Sequence, residues 1–352
     1  MAGDSKGRVK VNLLVLGGNG WVGGAIAAKA LTRGAKVTCL ARGVSGEFPN
    51  GVEVIIGDRQ NPESLHCFQE RYYDAVVDIS SNPSHVIAAA KFLEPRAGRY
   101  VYVSSVSVYR DASTMGTDES SERLSPLPPG SELSLVNYGE AKVSCEDAVL
   151  KVFGEERTFI IRPGVIGGVG DTTDRTGYWP LRFHRPSSPS ELVLVPKSTI
   201  DFVQVIDIVD LANWIVLAIE REVVGIYNAT HDPIDIGTYL RTVAEAVDFR
   251  GDFVGVSNGF LQERGVSPWS GPKSLPLWIG QKDSVGATTR SSEMAKKAGL
   301  TLRPISETAK DQLLWELSRD PSVPRRAGLS DVEELELIND YLNLALGGEN
   351  EV

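Results

Sequence analysis

Short apolar runs alternate along the first half of the chain with segments whose apolar positions recur at helical spacing. Val11-Asn12-Leu13-Leu14-Val15-Leu16 is nearly continuous in apolar residues and runs into glycines. That is the pattern of a strand buried on both faces of a parallel sheet. Trp21 to Arg33 is alanine-rich at helical spacing, and Gly34 is placed to end it. The same reading predicts strands at Lys36 to Ala41, Val52 to Ile56, Ala75 to Ile79, Tyr100 to Ser104 and Thr158 to Ile161. It predicts helices at Pro62 to Arg71, Pro83 to Leu93 and Asn137 to Phe153, and a Ser/Pro/acid-rich loop over residues 110–136. Strand–helix alternation of this kind predicts an α/β fold, a Rossmann-type doubly wound parallel sheet.

After Arg162 the pattern breaks up. Gly164 to Pro189 is rich in Gly and Pro and carries Tyr178, Trp179 and His184. Asp207 to Glu220 reads as a helix and Val223 to Asn228 as a strand, which are late elements of the same sheet. Gly265 to Gly286 is rich in Pro, Gly, Ser and Trp, and forms either a pocket loop or a connector. Ser306 to Ser318 and Asp331 to Leu346 read as helices. The expected organisation is a dinucleotide-binding core at 10–164 and a small C-terminal substrate-binding lobe at 165–330. The late sheet elements interleave with that lobe at about 200–230, and a C-terminal helix and tail follow at 331–352.

The 352 residues carry 36 Lys+Arg against 46 Asp+Glu, a net charge of −10. An acidic surface repels phosphate backbones, so nucleic acids and anionic membranes are not expected as partners. The longest apolar stretch, Leu211 to Ile219, is far short of a membrane span. Cys39, Cys67 and Cys145 are scattered and the four histidines have no metal-ligand spacing, so neither a disulfide framework nor a metal site is expected. Met1 to Arg8 lacks the apolar stretch of a secretory leader. Together these features point to a cytoplasmic protein acting on a small molecule.

Three motifs carry chemistry. Gly17-Gly18-Asn19-Gly20-Trp21-Val22-Gly23 lies between the first strand and the first helix. Glycines so spaced allow a tight turn and let backbone N–H groups and the helix N-terminus approach a pyrophosphate. Tyr138-Gly139-Glu140-Ala141-Lys142 places Tyr138 and Lys142 on one helix face. A neighbouring ammonium is expected to draw the phenol pKa down toward neutral, making Tyr138 a proton donor or acceptor. Taken alone, the spacing is better explained by a surface Tyr and a surface Lys, because short motifs often arise by chance. Val103-Ser104-Ser105-Val106-Ser107-Val108-Tyr109 ends the fifth strand at the sheet edge where ligands bind, so a hydroxyl there could hold the same substrate oxygen.

In this order the motifs resemble the extended, epimerase/dehydratase-like branch of the short-chain dehydrogenase/reductase superfamily. Gly57-Asp58, Arg162-Pro163-Gly164 and the stretch Asp201-Phe202-Val203-Gln204-Val205-Ile206-Asp207 extend the likeness over most of residues 10–318. The resemblance implies a catalytic trio of Ser105, Tyr138 and Lys142, with Lys142 also holding the nicotinamide ribose. It implies cofactor contacts at Gly17, Asn19, Gly20, Trp21, Val22, Gly23, Asp58, Arg59, Tyr138, Lys142 and Pro163. Relatives often dimerise, so a homodimer is a further expectation.

Departures from the family pattern bear on specificity. Where an acidic residue often ends the second strand, this chain has Ala41-Arg42. Losing a carboxylate and gaining a guanidinium favours NADP(H) over NAD(H), because Arg42 can pair with a 2′-phosphate. Ile200 replaces an arginine usual in nucleotide-sugar members, and Val266-Ser267-Pro268-Trp269 with Leu277-Trp278-Ile279 replaces a second clamp. A small non-nucleotide substrate is therefore expected. Tyr178, Trp179, Asp174, Arg175, Trp269 and Trp278 are its candidate contacts, unless the tryptophans pack the lobe's core instead. The expected function is an NADP(H)-dependent oxidoreductase exchanging hydride with a carbonyl or secondary alcohol. The alternative is an epimerase or dehydratase in which hydride leaves and returns. Intact Tyr138 and Lys142 and the acidic charge weigh against a third reading, a non-catalytic binding protein.

Overall fold

The computed structural model describes residues 10–348; the expectations placed on Met1–Arg8 and on a tail at 349–352 lie outside them. The chain runs through β1 (Asn12–Leu16), α1 (Trp21–Thr32), β2 (Lys36–Ala41), β3 (Glu53–Ile56) and β4 (Tyr73–Asp78). It continues through α2 (Pro83–Leu93), β5 (Ala97–Val103), α3 (Tyr138–Phe153) and β6 (Thr158–Pro163). Next come β7 (Val165–Gly167), α4 (Tyr178–His184), β8 (Leu192–Pro196), β9 (Phe202–Val203), β10 (Val205–Asp207), α5 (Ile208–Glu220) and β11 (Gly225–Ala229). Seven strands form one sheet in the order β11-β6-β5-β4-β1-β2-β3, and every pairing in it is parallel. This is the doubly wound α/β sheet expected from the alternation.

Period-2 alternation sorts the strand residues between two cores. Leu13 and Val15 face α1 and α5, in a cluster with Ile26, Ala27, Ala30 and Trp214. Leu14 and Leu16 face α2 and α3, with Val86, Ala90, Val149 and Phe153. Local capping fixes where helices begin. Asn82 accepts from the Ser84 N–H ahead of α2, with Pro83 in its first turn, and Asp207 accepts from the Val209 N–H ahead of α5. The α-helix expected over Pro62 to Arg71 is instead a 3₁₀ helix at Pro62–Phe68. Its three-residue turn brings Leu65 and Phe68 to the same buried side.

The lobe has its own core. Strand β8 pairs with Asp252–Val256, and helix α6 (Ile236–Ala246) packs beside them. Helices at Asn258–Glu263, Glu293–Lys297, Ile305–Ser318 and Asp331–Gly348 complete the order. The last of these packs into the lobe through Leu337 and Ile338. Its buried Glu334 accepts from the Leu194 N–H at 3.0 Å and pairs with Arg182 at 3.2 Å. Strands β7 and β10 pair in parallel beside the sheet's carboxyl edge, where the lobe begins. No helix among the described residues is long and apolar enough to cross a membrane.

Candidate active site

The sheet's carboxyl edge gathers the candidate residues. The Gly17 N–H donates to the Leu40 carbonyl at 2.7 Å, which turns the chain out of β1 at a φ of 96°. Only glycine adopts that conformation without strain. A Cβ at Gly23 would run into the Gly17 carbonyl, so α1 can start this close to the turn only as glycine. Asn19 is buried and donates to the Gly46 carbonyl at 3.2 Å. Trp21 donates its indole N–H to the Val169 carbonyl at 2.8 Å, tying the glycine turn to the loop after β7. The turn is the tight, backbone-lined cradle that the sequence predicts, at the N-terminus of a helix.

Arg42 is exposed at the end of β2 and has no hydrogen-bond or ion-pair partner among the described residues. Its charge reaches His85, whose pKa is held down by burial first and then by Arg59 and Arg42. Asp58 accepts from the Gln60 N–H at 2.9 Å, and its other oxygen has no hydrogen-bond partner among the described residues. Arg59, another expected cofactor contact, pairs with buried Asp78 at 2.7 Å. Asp78 is fully buried and also accepts from the Tyr100 hydroxyl. Burial opposes its charge, but Arg59, the Ser80 N–H and Tyr100 outweigh it and hold the carboxyl below its usual range.

Ser105 lies two residues past the end of β5 and is nearly buried. Its hydroxyl accepts from the Ser107 N–H at 3.1 Å, which closes the short turn Val106–Val108. Helix α3 begins against this turn. A Cβ at Gly139 would strike the Ser107 carbonyl and the Leu124 side chain. Gly139 therefore lets Tyr138 sit close to Ser105. One turn along, Lys142 is buried and donates to the Val103 carbonyl at 2.7 Å and to the Ser80 carbonyl at 3.2 Å. Burial lowers its pKa to about 8.

The electrostatics of Tyr138 differ from the expectation. Its hydroxyl pKa is raised, because burial outweighs the Ser105 and Ser81 hydroxyls and the Arg175 charge, all of which favour the phenolate. The Lys142 ammonium is not among those influences. It lies 5.9 Å from the centre of the Tyr138 ring and is directed at the ends of β4 and β5. Ser81 was not anticipated, although it follows β4 at the same carboxyl edge that drew attention to Ser105.

The proposed substrate contacts divide. Trp179 and Trp278 are fully buried in the lobe core, where they donate to the Pro276 carbonyl at 2.8 Å and the Asn258 side chain at 2.9 Å. Tyr178 is in the same core. These three pack the lobe rather than line a cleft, each buried among the apolar side chains of its core. Asp174 is buried too, held by Arg319, Arg325 and the Arg326 N–H. Arg175 and Trp269 come together, with the guanidinium 5.5 Å from the ring centre, and the Arg175 charge reaches Tyr138. Pro163 ends β6 and is buried, and Gly164 follows it with its N–H on the Ala229 carbonyl. Among the described residues no cluster of three or more His, Cys, Asp or Glu could hold a metal ion.

No protein-family profile matches the sequence, and no curated protein matches it. Solved structures do share the fold. The Bordetella bronchiseptica enzyme WbmH, solved with NAD+, aligns at a TM-score of 0.64 and 15% identity over 88% of this chain and 99% of that one. A UDP-N-acetylglucosamine 4-epimerase from Bacillus cereus aligns at 0.63 and 16% over 90% and 99%. UDP-glucose 4-epimerase from Bifidobacterium longum, solved with NAD+ and UDP, aligns at 0.60 and 15% over 87% and 98%. The shared fold is the doubly wound α/β core with its lobe.

Proposed function

We propose that this chain is an NADP(H)-dependent oxidoreductase of the extended short-chain type, acting on a carbonyl or secondary alcohol of a small, non-nucleotide substrate. The observation that carries the reading is the meeting of Ser105, Tyr138 and buried Lys142 at the carboxyl edge of the sheet, beside the glycine turn. A dinucleotide fits these residues. Glycines at 17, 20 and 23 turn the backbone tightly into the N-terminus of α1, which suits a pyrophosphate, and Arg42 is exposed to meet a 2′-phosphate. Lys142 uses two of its three N–H donors on carbonyls, which leaves one for a ribose hydroxyl.

When bound, the nicotinamide supplies the carbon that gives or takes hydride. Tyr138, held protonated by its burial, is ready to donate a proton to a carbonyl oxygen. Ser105 holds that oxygen by hydrogen bond. In the reverse direction Tyr138 takes the alcohol proton, which rising pH favours. Arg42→Asp should remove or reverse a preference for NADPH, by repulsion of the 2′-phosphate. Titration of both cofactors against both proteins measures it, and a wild-type preference for NADH would refute the NADP(H) assignment.

A second reading, an epimerase with internal hydride transfer, is favoured by the names of the structural neighbours, two of which are UDP-sugar 4-epimerases. Ile200 and the apolar Val266 to Trp269 stretch weigh against a nucleotide-sugar substrate, since neither offers a phosphate clamp. Cofactor retained through purification, with no net change in nicotinamide absorbance during turnover, would select this reading. A stoichiometric absorbance change would select the first.

A further inference from the structure

Arg175 stands out among the arginines of the lobe. Arg182 pairs with Asp331 and Glu334, and Arg319 and Arg325 pair with Asp174 and Glu316. Arg175 is partly buried, yet it has no ion pair among the described residues. Among the described residues its one hydrogen bond runs from Nε to the Thr173 hydroxyl at 3.1 Å, and neither terminal nitrogen has an acceptor. The carboxylate whose charge reaches it is Asp171, but both oxygens of that group are occupied by N–H and hydroxyl donors of Thr173 and Thr176.

The chain holds Arg175 in place from two sides. Asp174 has a φ of 61° and is fixed from behind by Arg319, Arg325 and the Arg326 N–H. Trp269 has a φ of 72° and carries the ring on which the guanidinium lies. Left-handed backbone at two non-glycine residues costs free energy, and such costs collect at functional sites. Thr173 fixes Nε and Trp269 fixes the plane, which leaves the two terminal nitrogens as an open fork within electrostatic reach of Tyr138. A planar fork matches carboxylate and phosphate oxygens, and a partly buried guanidinium without a counter-charge is costly until one arrives.

We propose that Arg175, laid on Trp269, is an oxoanion-binding residue of the substrate site, and that the substrate carries a carboxylate or phosphate group close to the carbon that exchanges hydride. This deepens the hydride-transfer reading and rests on it for the identity of the reacting carbon.

Calorimetric titration of the NADP+-saturated protein tests it, with inorganic phosphate and a graded set of 2-oxo carboxylates as probes, each carboxylate beside its neutral methyl ester. At least one oxoanion should bind where its neutral counterpart does not. Phosphate alone would point to a phosphorylated substrate, and the carboxylates alone to an acid. Arg175→Gln should weaken that binding roughly 10- to 100-fold, with partial recovery in Arg175→Lys. Both variants should keep the wild-type affinity for NADP+. No oxoanion binding to the wild type, or equal binding by Arg175→Gln, overturns the proposal. Cofactor binding without oxoanion binding would sink this inference alone. Oxoanion binding without cofactor binding would sink the hydride-transfer reading and leave the Arg175 site standing.

Discussion

Burial sets the properties of the two residues at the centre of the site, and it sets them in opposite directions. Tyr138 is pushed up, so it stands as an acid at neutral pH. Lys142 is pulled from 10.5 to about 8, so it loses its charge at mildly alkaline pH. Carbonyl reduction should therefore hold its rate through neutral pH and fall on the alkaline side, while alcohol oxidation rises there. Tyr138→Phe should fold, bind cofactor and lose roughly 10²–10⁴-fold in turnover in both directions. Equal turnover by the variant would remove Tyr138 from the chemistry.

Lys142 also gives a stability prediction with a definite sign. Between about 8 and 10.5 the unfolded chain holds a proton that the folded chain has released, so this group makes folding more favourable as pH rises through that window. Melting temperatures of wild type and Lys142→Met, measured from about pH 7 to about pH 10, should shift in favour of the wild type as pH rises. Parallel curves would show that the lysine is not carrying that burial cost. Spacing put Tyr138 and Lys142 on one helix face and Ser105 at a strand end, but their grouping as a trio came from the family resemblance, since spacing alone fits a surface Tyr and Lys. The protonation behaviour was not legible. It depends on how deeply the lysine sinks toward Val103 and Ser80, which no local pattern encodes.

At the scale of elements, the approach of α3 to the turn after β5 brings Tyr138 to Ser105. That approach hinges on Gly139, whose missing Cβ leaves room for the Ser107 carbonyl. Gly139→Ala should push the helix start outward, costing about 1–3 kcal/mol of stability by overpacking and lowering kcat more than it raises KM. Unchanged melting temperature and turnover would show that the helix start tolerates the methyl. The core strands were readable because each is an apolar run of the right length bounded by turn residues. The lobe was less readable. Its strands β8 and Asp252–Val256 are distant in sequence and paired only with each other. Helix α6 carries clean spacing at Ile236, Tyr239, Leu240, Val243 and Ala244, but it is set among loops that mask it.

Across the whole molecule, a sheet with two apolar faces supports a lobe with a separate core, and the candidate site lies where they meet. The two tryptophans of the 265–286 segment divide along that line. Trp278 is lobe core, so Trp278→Ala should cost about 3–5 kcal/mol of stability and leave KM nearly unchanged in the protein that folds. Trp269 carries Arg175, so Trp269→Ala should raise KM with a smaller loss of melting temperature. Reversed outcomes would place the substrate elsewhere in the lobe. The account stands or falls on the glycine turn, Arg42 and Lys142 together holding a nicotinamide dinucleotide. Titration of the wild-type chain with NADPH and with NADH, followed by the fluorescence of the reduced nicotinamide, tests this most directly. Saturable binding of both, tighter for NADPH, is the predicted result, and no saturable binding of either would contradict it.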